Sequence, residues 1–269
     1  MPVEVPCGKC IGCTMGRSRQ WAVRCMHEAS LYDKNCFITL TFKDKFIPKS
    51  GTLVKSDFQN FMKRLRKRYG SGVRYFHCGE YGERFARPHH HACLFNFDFA
   101  DKKLWKVAGK TPLYRSAELE ELWSHPVTKE PLGYASVGSV TFESAAYVAR
   151  YVLKKQFGKR AVAHYRGREP EYTTMSRRPG IGDGWFQKYK GDVYPDDEVV
   201  LKECRRYRPP KYYDRKYELT NPSGFEMISG KRVQHARENP DNSPERRKVK
   251  EEMQYLKADK LKRGFEAGE

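Results

Sequence analysis

The chain has 269 residues and carries 52 lysines and arginines against 33 acids, a formal net charge of +19. No apolar run approaches the roughly 20 residues that cross a bilayer, and Met1-Pro-Val-Glu-Val-Pro lacks the basic-then-apolar order of a signal peptide, so membrane and secreted classes are not expected. With 39% hydrophobic residues a core can form, and the surplus of positive charge calls for a polyanionic partner, of which a nucleic-acid backbone is the usual one.

Four of the eight cysteines, Cys7, Cys10, Cys13 and Cys25, crowd the start of the chain. Without a secretory context they read better as a metal site than as disulfides. Four thiols suffice for a structural zinc; reduced cysteines in an ordered turn and an iron-sulfur site stay open as alternatives. Arg17 to Tyr32, free of Pro and Gly, is predicted as a helix, and the β-branched and aromatic run Cys36 to Lys43 as a strand. Ser56 or Asp57 can cap a helix bearing Phe58, Phe61, Met62 and Leu65 that ends at Gly70. Val73 to Glu80 and His89 to Phe97 follow as strands joined by a polar loop. A looser stretch, a short helix near Ala117 to Trp123, a strand from Tyr134 to Phe142 and a helix capped by Ser144 complete the middle region. Adjacent strands with a tight return indicate an α+β fold, a central antiparallel β-sheet with flanking helices, expected on one face. We divide the chain into a Cys-rich basic segment (1–28), a catalytic domain (29–190) and a basic, charged extension (191–269) in which Glu245 to Arg263 reads as a polar helix.

The sharpest motif is Arg87-Pro-His-His-His-Ala-Cys-Leu-Phe95. On a strand, His89 and His91 share a face while His90 points away, which makes a two-imidazole half-site for a metal. Glu80, at the end of the preceding strand, can add a carboxylate across the hairpin and leave open positions for a substrate oxygen, as a catalytic Mg or Mn requires. A histidine cluster that binds nothing is the competing account. The second motif is Tyr147-Val-Ala-Arg-Tyr-Val-Leu-Lys-Lys155, where Tyr147 and Tyr151 stack at i and i+4 with Lys154 and Lys155 one turn on. Ala145, Val148, Ala149 and Val152 make the opposite, buried stripe. Nearby cations favour a phenolate, so two such phenols could act as paired nucleophiles, although tyrosines at this spacing are more often packing. Between Arg150 and Lys190 eleven Lys or Arg outnumber three acids and alternate with aromatics. Arg150, Arg177, Arg178 and Trp185 are the candidate DNA contacts there, with Gly180 and Gly182 in a phosphate-contacting loop.

Taken together, the strand histidines and helix tyrosines match the order and residue types of the HUH endonucleases. Phe37-Ile-Thr-Leu-Thr-Phe42, Gly79-Glu-Tyr-Gly82, Arg87-Pro-His-His-His91 and Tyr147-Val-Ala-Arg-Tyr-Val152 closely resemble the replication-initiation proteins of small single-stranded DNA phages, the microviruses, especially their gokushovirus branch. The likeness extends from the cysteines through Met175-Ser-Arg-Arg-Pro-Gly-Ile-Gly182 to Trp185. It departs at the family's usually apolar middle position, which here is His90. The resemblance implies an HUH/RRM-like domain that nicks one strand at the origin of the double-stranded replicative form. His89, His91 and Glu80 would hold the ion, and Tyr147 and Tyr151 would be the nucleophiles. It also implies single-stranded origin DNA, host helicase, polymerase and single-strand-binding protein as partners, in the cytoplasm of a bacterial host. The rivals are a relaxase or transposase of the same superfamily and a non-enzymatic nucleic-acid-binding module.

Overall fold

The computed structural model describes residues 7–82, 85–109, 111–154, 159–194, 196–201, 204–239, 241 and 243–260, without the side chains of 151–154, 159–160 and 260. Its centre is a seven-stranded sheet of antiparallel pairs formed by β1 (Asn35–Leu40), β2 (Arg74–Tyr81), β3 (Pro88–Phe95), β4 (Lys103–Ala108), β5 (Thr111–Arg115), β6 (Ala135–Gly138) and β7 (Tyr172–Met175). The spatial order is β4-β5-β6-β1-β3-β2-β7. All eight residues of β3 are buried. Its side chains alternate between two covered faces, so three consecutive histidines can be interior without sharing one environment.

Helices lie on both faces rather than the single face expected from sequence. On one, Phe58, Phe61, Met62 and Leu65 of α2 (Lys55–Tyr69) and Leu119 and Leu122 of α3 (Ala117–Leu122) pack on Ile38, Leu40, Ala92, Leu94 and Val137. On the other, Ala22 and Cys25 of α1 (Ile11–Ala29) and Ala145, Val148 and Ala149 of α4 (Phe142–Lys154) pack on Phe76, Cys78, Cys93 and Phe95. The physical reason is visible in β2 and β3, whose odd and even positions are both apolar enough to need cover. Burying each Phe or Leu there contributes about 1.5–3 kcal/mol.

Two boundaries differ from expectation. The strand predicted to run to Phe142 stops at Gly138, because Thr141 turns the chain into α4. The Thr141 hydroxyl accepts from the Ser144 amide at 3.1 Å and the Ser144 hydroxyl accepts from the Thr141 amide at 2.8 Å, a reciprocal cap that puts Ser144 inside the first turn. The stretch after Asp101 forms the β4–β5 hairpin at the edge of the sheet. Gly133 permits the return toward β6, since a Cβ there would stand 2.2 Å from the Thr41 carbonyl oxygen.

The C-terminal part contains α5 (Lys159–Tyr165), α6 (Asp183–Val193), the short pair β8 (Val199–Val200) and β9 (Arg206–Tyr207), α7 (Lys211–Thr220), α8 (Pro222–Glu238) and α9 (Pro244–Lys260). α9 falls where the polar helix was predicted. Tyr213, fully buried, joins Val193, Tyr194 and Ile228 against Val23 of α1 and Phe186 of α6, so this part of the chain docks on the sheet's helical layer.

Candidate active site

β2 and β3 pair with Glu80 opposite His89 and Cys78 opposite His91, which places Glu80, His89 and His91 on one face beside α4. His91 Nε2 lies 2.7 Å from Glu80 Oε1, and the Tyr147 hydroxyl donates to the same oxygen at 3.3 Å. The Tyr147 ring meets the His91 ring edge-on at 5.2 Å between centroids. Side chains from β3 and α4 thus converge on one carboxylate oxygen of β2. α4 is enclosed on two sides. Tyr147 is 8% exposed and faces the sheet, while Ser18 of α1 bonds the Ala146 carbonyl at 2.8 Å, so the tyrosine's face is covered as well as the alanine stripe.

Two groups that sequence reasoning passed over orient the imidazoles. Thr39 Oγ1 is 2.9 Å from His91 Nδ1, and the Arg87 carbonyl accepts from His89 Nδ1 at 2.8 Å. Arg87 is itself tied to the segment after β1 by bonds to the Phe42 carbonyl at 2.7 Å and Asp44 at 2.5 Å. The bond from His89 to the Arg87 carbonyl puts the imidazole proton on Nδ1 and makes Nε2 the acceptor nitrogen. Thr39 was detectable only through the register that sets it opposite His91. The His89 and His91 rings are nearly parallel with centroids 6.4 Å apart.

His90 points to the other face. It is fully buried, with Nδ1 3.1 Å from His77 Nε2, and His77 Nδ1 in turn meets the Thr174 hydroxyl at 2.9 Å. His77 stacks on Phe58 at 3.6 Å, and burial pushes the His90 pKa down to about 3. These two imidazoles are neutral members of the core.

Among the described residues, one set of metal-ligating atoms is already gathered, the thiols of Cys7, Cys10 and Cys13, all within 4.8 Å of one another at the start of α1. The Cys10 and Lys9 amides point at the Cys7 sulfur at 3.2 and 3.5 Å and draw its pKa down to about 7. Cys25 is not with them. It is fully buried against Phe76 and Cys93, twelve residues beyond Cys13 along α1, a rise of about 18 Å. Burial holds its thiol well above the usual range, which corrects the four-thiol expectation.

The remaining candidates are spread out. Tyr151 lies one turn beyond Tyr147 on α4, but its side chain and that of Lys154, like all of Lys155, fall outside the described residues. Arg150 stands 6.0 Å from the Tyr147 ring centroid. Arg177 and Arg178 are exposed at the turn after β7, beside Arg74 at the far end of β2 from Glu80, about 20 Å along the strand. Gly180 and Gly182 lie against neighbouring tyrosines, and a Cβ at Gly180 would stand 2.6 Å from the Tyr212 hydroxyl. The Gly182 amide donates to Glu28 at 2.6 Å, and a Cβ at its φ of +77° would stand 2.5 Å from the Tyr213 hydroxyl. Trp185 is half-buried, its ring stacked on His27 at 3.5 Å and 5.9 Å from that of Tyr213.

The family model for Replication-associated protein ORF2/G2P matches residues 35–156, the segment holding β1 through α4 and all of the convergent residues. Replication-associated protein VP4 of Bdellovibrio phage phiMH2K is 34% identical over 229 residues, covering 81% of this chain and 68% of the relative. The chain belongs to the family of phage replication-associated proteins. Two further relatives are Replication-associated protein ORF2 of Spiroplasma virus 4, 33% identical over 80% of this chain and 68% of its own, and Replication-associated protein ORF4 of Chlamydia phage 1, 32% identical over 78% and 52%. No solved structure matches this phage replication-associated protein. No helix among its described residues is long and apolar enough to cross a membrane.

Proposed function

We propose that this phage replication protein is a rolling-circle initiator, a metal-dependent endonuclease that nicks one DNA strand at the phage origin and later rejoins the displaced strand into a circle. The observation that carries the reading is the convergence of His91 Nε2 and the Tyr147 hydroxyl on Glu80 Oε1. The donor set of two oriented imidazoles and one carboxylate fits a divalent ion with open positions, and His89, His91 and Glu80 would hold it. When bound, Mg or Mn supplies Lewis-acid polarisation of a phosphate oxygen.

The chain's own residues supply the rest. Tyr147 or Tyr151 attacks phosphorus through its phenolic oxygen; the Tyr O–P bond forms, the P–O3′ bond breaks and the 3′ oxygen leaves as a hydroxyl once protonated. Glu80 Oε1, already accepting the Tyr147 hydroxyl, is the group in reach for the phenolic proton. The 5′ phosphate stays on tyrosine while the free 3′-hydroxyl primes synthesis. A second tyrosine one helical turn away lets the regenerated origin be cut while the first link is resolved by a 3′-hydroxyl. Each exchange trades one phosphodiester for another, so ligation consumes no nucleotide. Lys154 and Lys155 favour phenolate, and Arg150, Arg177 and Arg178 add phosphate contacts. A helicase, polymerase and single-strand-binding protein of the bacterial host complete the replication reaction.

The gathered thiols of Cys7, Cys10 and Cys13 fit a structural zinc with one position left for a further ligand. Protein purified under reducing conditions should contain near-stoichiometric zinc that Cys7→Ser or Cys10→Ser removes and Cys25→Ser retains; zinc-free parent protein would refute it. The nicking reading is tested with single-stranded oligonucleotides tiled over the cognate genome, incubated with Mn, Mg or chelator and resolved on a denaturing gel. A metal-dependent protein–DNA adduct at one origin sequence is expected. Tight binding with no adduct anywhere would favour a binding module, and cleavage at a transfer or transposon sequence a relative of different biology.

A further inference from the structure

The sheet face that carries His89 and His91 is covered over half its width. α1 and α4 lie over β3, β2 and β7. Among the described residues the half made by β6, β5 and β4 is open, with Tyr134 64% and Trp105 45% exposed, an aromatic surface that neither the core nor the convergent site uses.

Register shows that this surface leads to the histidines. Leu40 pairs with His90 and Ala135, so Thr41 continues β1 between His89 and Tyr134, and its amide bonds the Tyr134 carbonyl at 2.9 Å. Tyr114 pairs with Val137 on the buried face, which turns Arg115 to the open one. Lys103 pairs with Arg115, and the irregularity between Leu104 and Lys106 presents Trp105 there too. The geometry agrees: the Arg115 guanidinium lies 5.9 Å from the ring centroids of both Trp105 and Tyr134. Glu120 fixes that guanidinium with a 2.7 Å bond to Nε, and Lys106 sits 4.3 Å from the Trp105 centroid. Lys43 and Lys103 are exposed along the same row. Four strand spacings, about 19 Å across the sheet, separate β3 from β4, a span of a few unpaired nucleotides.

We propose that Trp105, Arg115 and Tyr134 form a stacking track for unpaired bases, along which single-stranded DNA crosses the open half of the sheet to reach His89 and His91. The assignment of where the strand ends rests on the nicking reading. Rings with accessible faces accept any base, and the cations between them meet the phosphates, a combination that suits single strands better than a duplex, whose bases are already stacked. The row of cations beside the rings meets a regular phosphate backbone, and the chain's net charge of +19 favours a polyanion.

The test uses the full chain, a fluorescein-labelled 20-nucleotide oligo-dT, a duplex of equal length and the origin strand. Trp105→Ala and Tyr134→Ala should each weaken oligo-dT binding about 10-fold and together about 100-fold, with the salt dependence of binding little changed because no phosphate contact is lost. Duplex affinity and melting temperature should stay at the parent value. Leu104→Ala, which removes an equally exposed apolar side chain from the opposite face of β4, should leave oligo-dT affinity intact. Parent-level oligo-dT affinity in the double variant would overturn the track, as would an equal loss from Leu104→Ala, or loss of self-association with DNA affinity unchanged. Adduct formation by the parent together with an unaffected double variant sinks the track and spares the nicking reading. Ring-dependent oligo-dT binding without any adduct supports the track and sinks nicking.

Discussion

β3 presents histidines to both faces of the sheet, and the two faces do opposite things with them. His89 and His91 lie beside a carboxylate and a phenol, each imidazole oriented through Nδ1 by a partner outside the pair. His90 and His77 bond to each other, stack on or near Phe58 and are sealed in the core. All four are buried, so burial does not separate a candidate ligand from a packing residue. What separates them is the neighbour: Glu80 brings a carboxylate to one face, whereas on the other a Thr hydroxyl and aromatic rings surround imidazoles that burial keeps neutral.

Breaking the first face should have the largest effect. The His89→Ala/His91→Ala variant should lose metal-dependent adduct formation by at least about 100-fold, since losing ligands exceeds the 10- to 100-fold cost of losing an orienting partner. Retained activity would move the metal elsewhere. Thr39→Val keeps the shape of the side chain and removes the hydroxyl at His91 Nδ1. Metal titration of adduct formation should show about a 10-fold rise in the ion concentration required. On the second face, His90→Leu leaves His77 Nε2 without its partner and should cost about 1–3 kcal/mol in denaturant unfolding while adduct yield per folded molecule holds. A His90→Leu variant that needed more metal, as Thr39→Val should, would erase the contrast between the faces.

How far the sequence went follows from this same strand. Period-two alternation separated His90 from its neighbours, and the position of Glu80 at the end of β2 put the carboxylate on the right side. Alternation does not say what covers each face, which is why α2 and α3 were not foreseen opposite α1 and α4. The β4–β5 hairpin escaped because β4 is mostly exposed and β5 half-buried throughout, so neither strand shows a clean apolar rhythm. Trp185 and the glycines at 180 and 182 resembled a DNA-contacting loop by composition. The packing around them comes from Glu28, His27 and Tyr213, on segments distant in sequence, which composition does not reveal.

A smaller effect distinguishes the packing region around Trp185. Burial lowers the His27 pKa to about 3, against about 6.5 in an unfolded chain, so folding keeps this imidazole neutral while unfolding lets it take up a proton. Its contribution is therefore intact above pH 6.5 and is lost as pH falls toward 3. His27→Phe preserves the stack on Trp185 and should flatten the fall of unfolding free energy between pH 6 and 4 by about one proton. An unchanged slope would mean that His27 does not titrate on unfolding.

The central claim is tested most directly by finding which residue carries the DNA. Trypsin cuts after Arg150, so Tyr147 and Tyr151 fall in different peptides, the second being Tyr151-Val-Leu-Lys154. Nuclease-trimmed adduct formed with Mn should yield a nucleotide mass on one or both of these peptides, absent with chelator and absent from the Tyr147→Phe/Tyr151→Phe variant. A metal-dependent adduct mapped to any other residue, or one that persists in the double variant, would contradict the convergence of Tyr147, Glu80 and His91 as the site of strand cleavage.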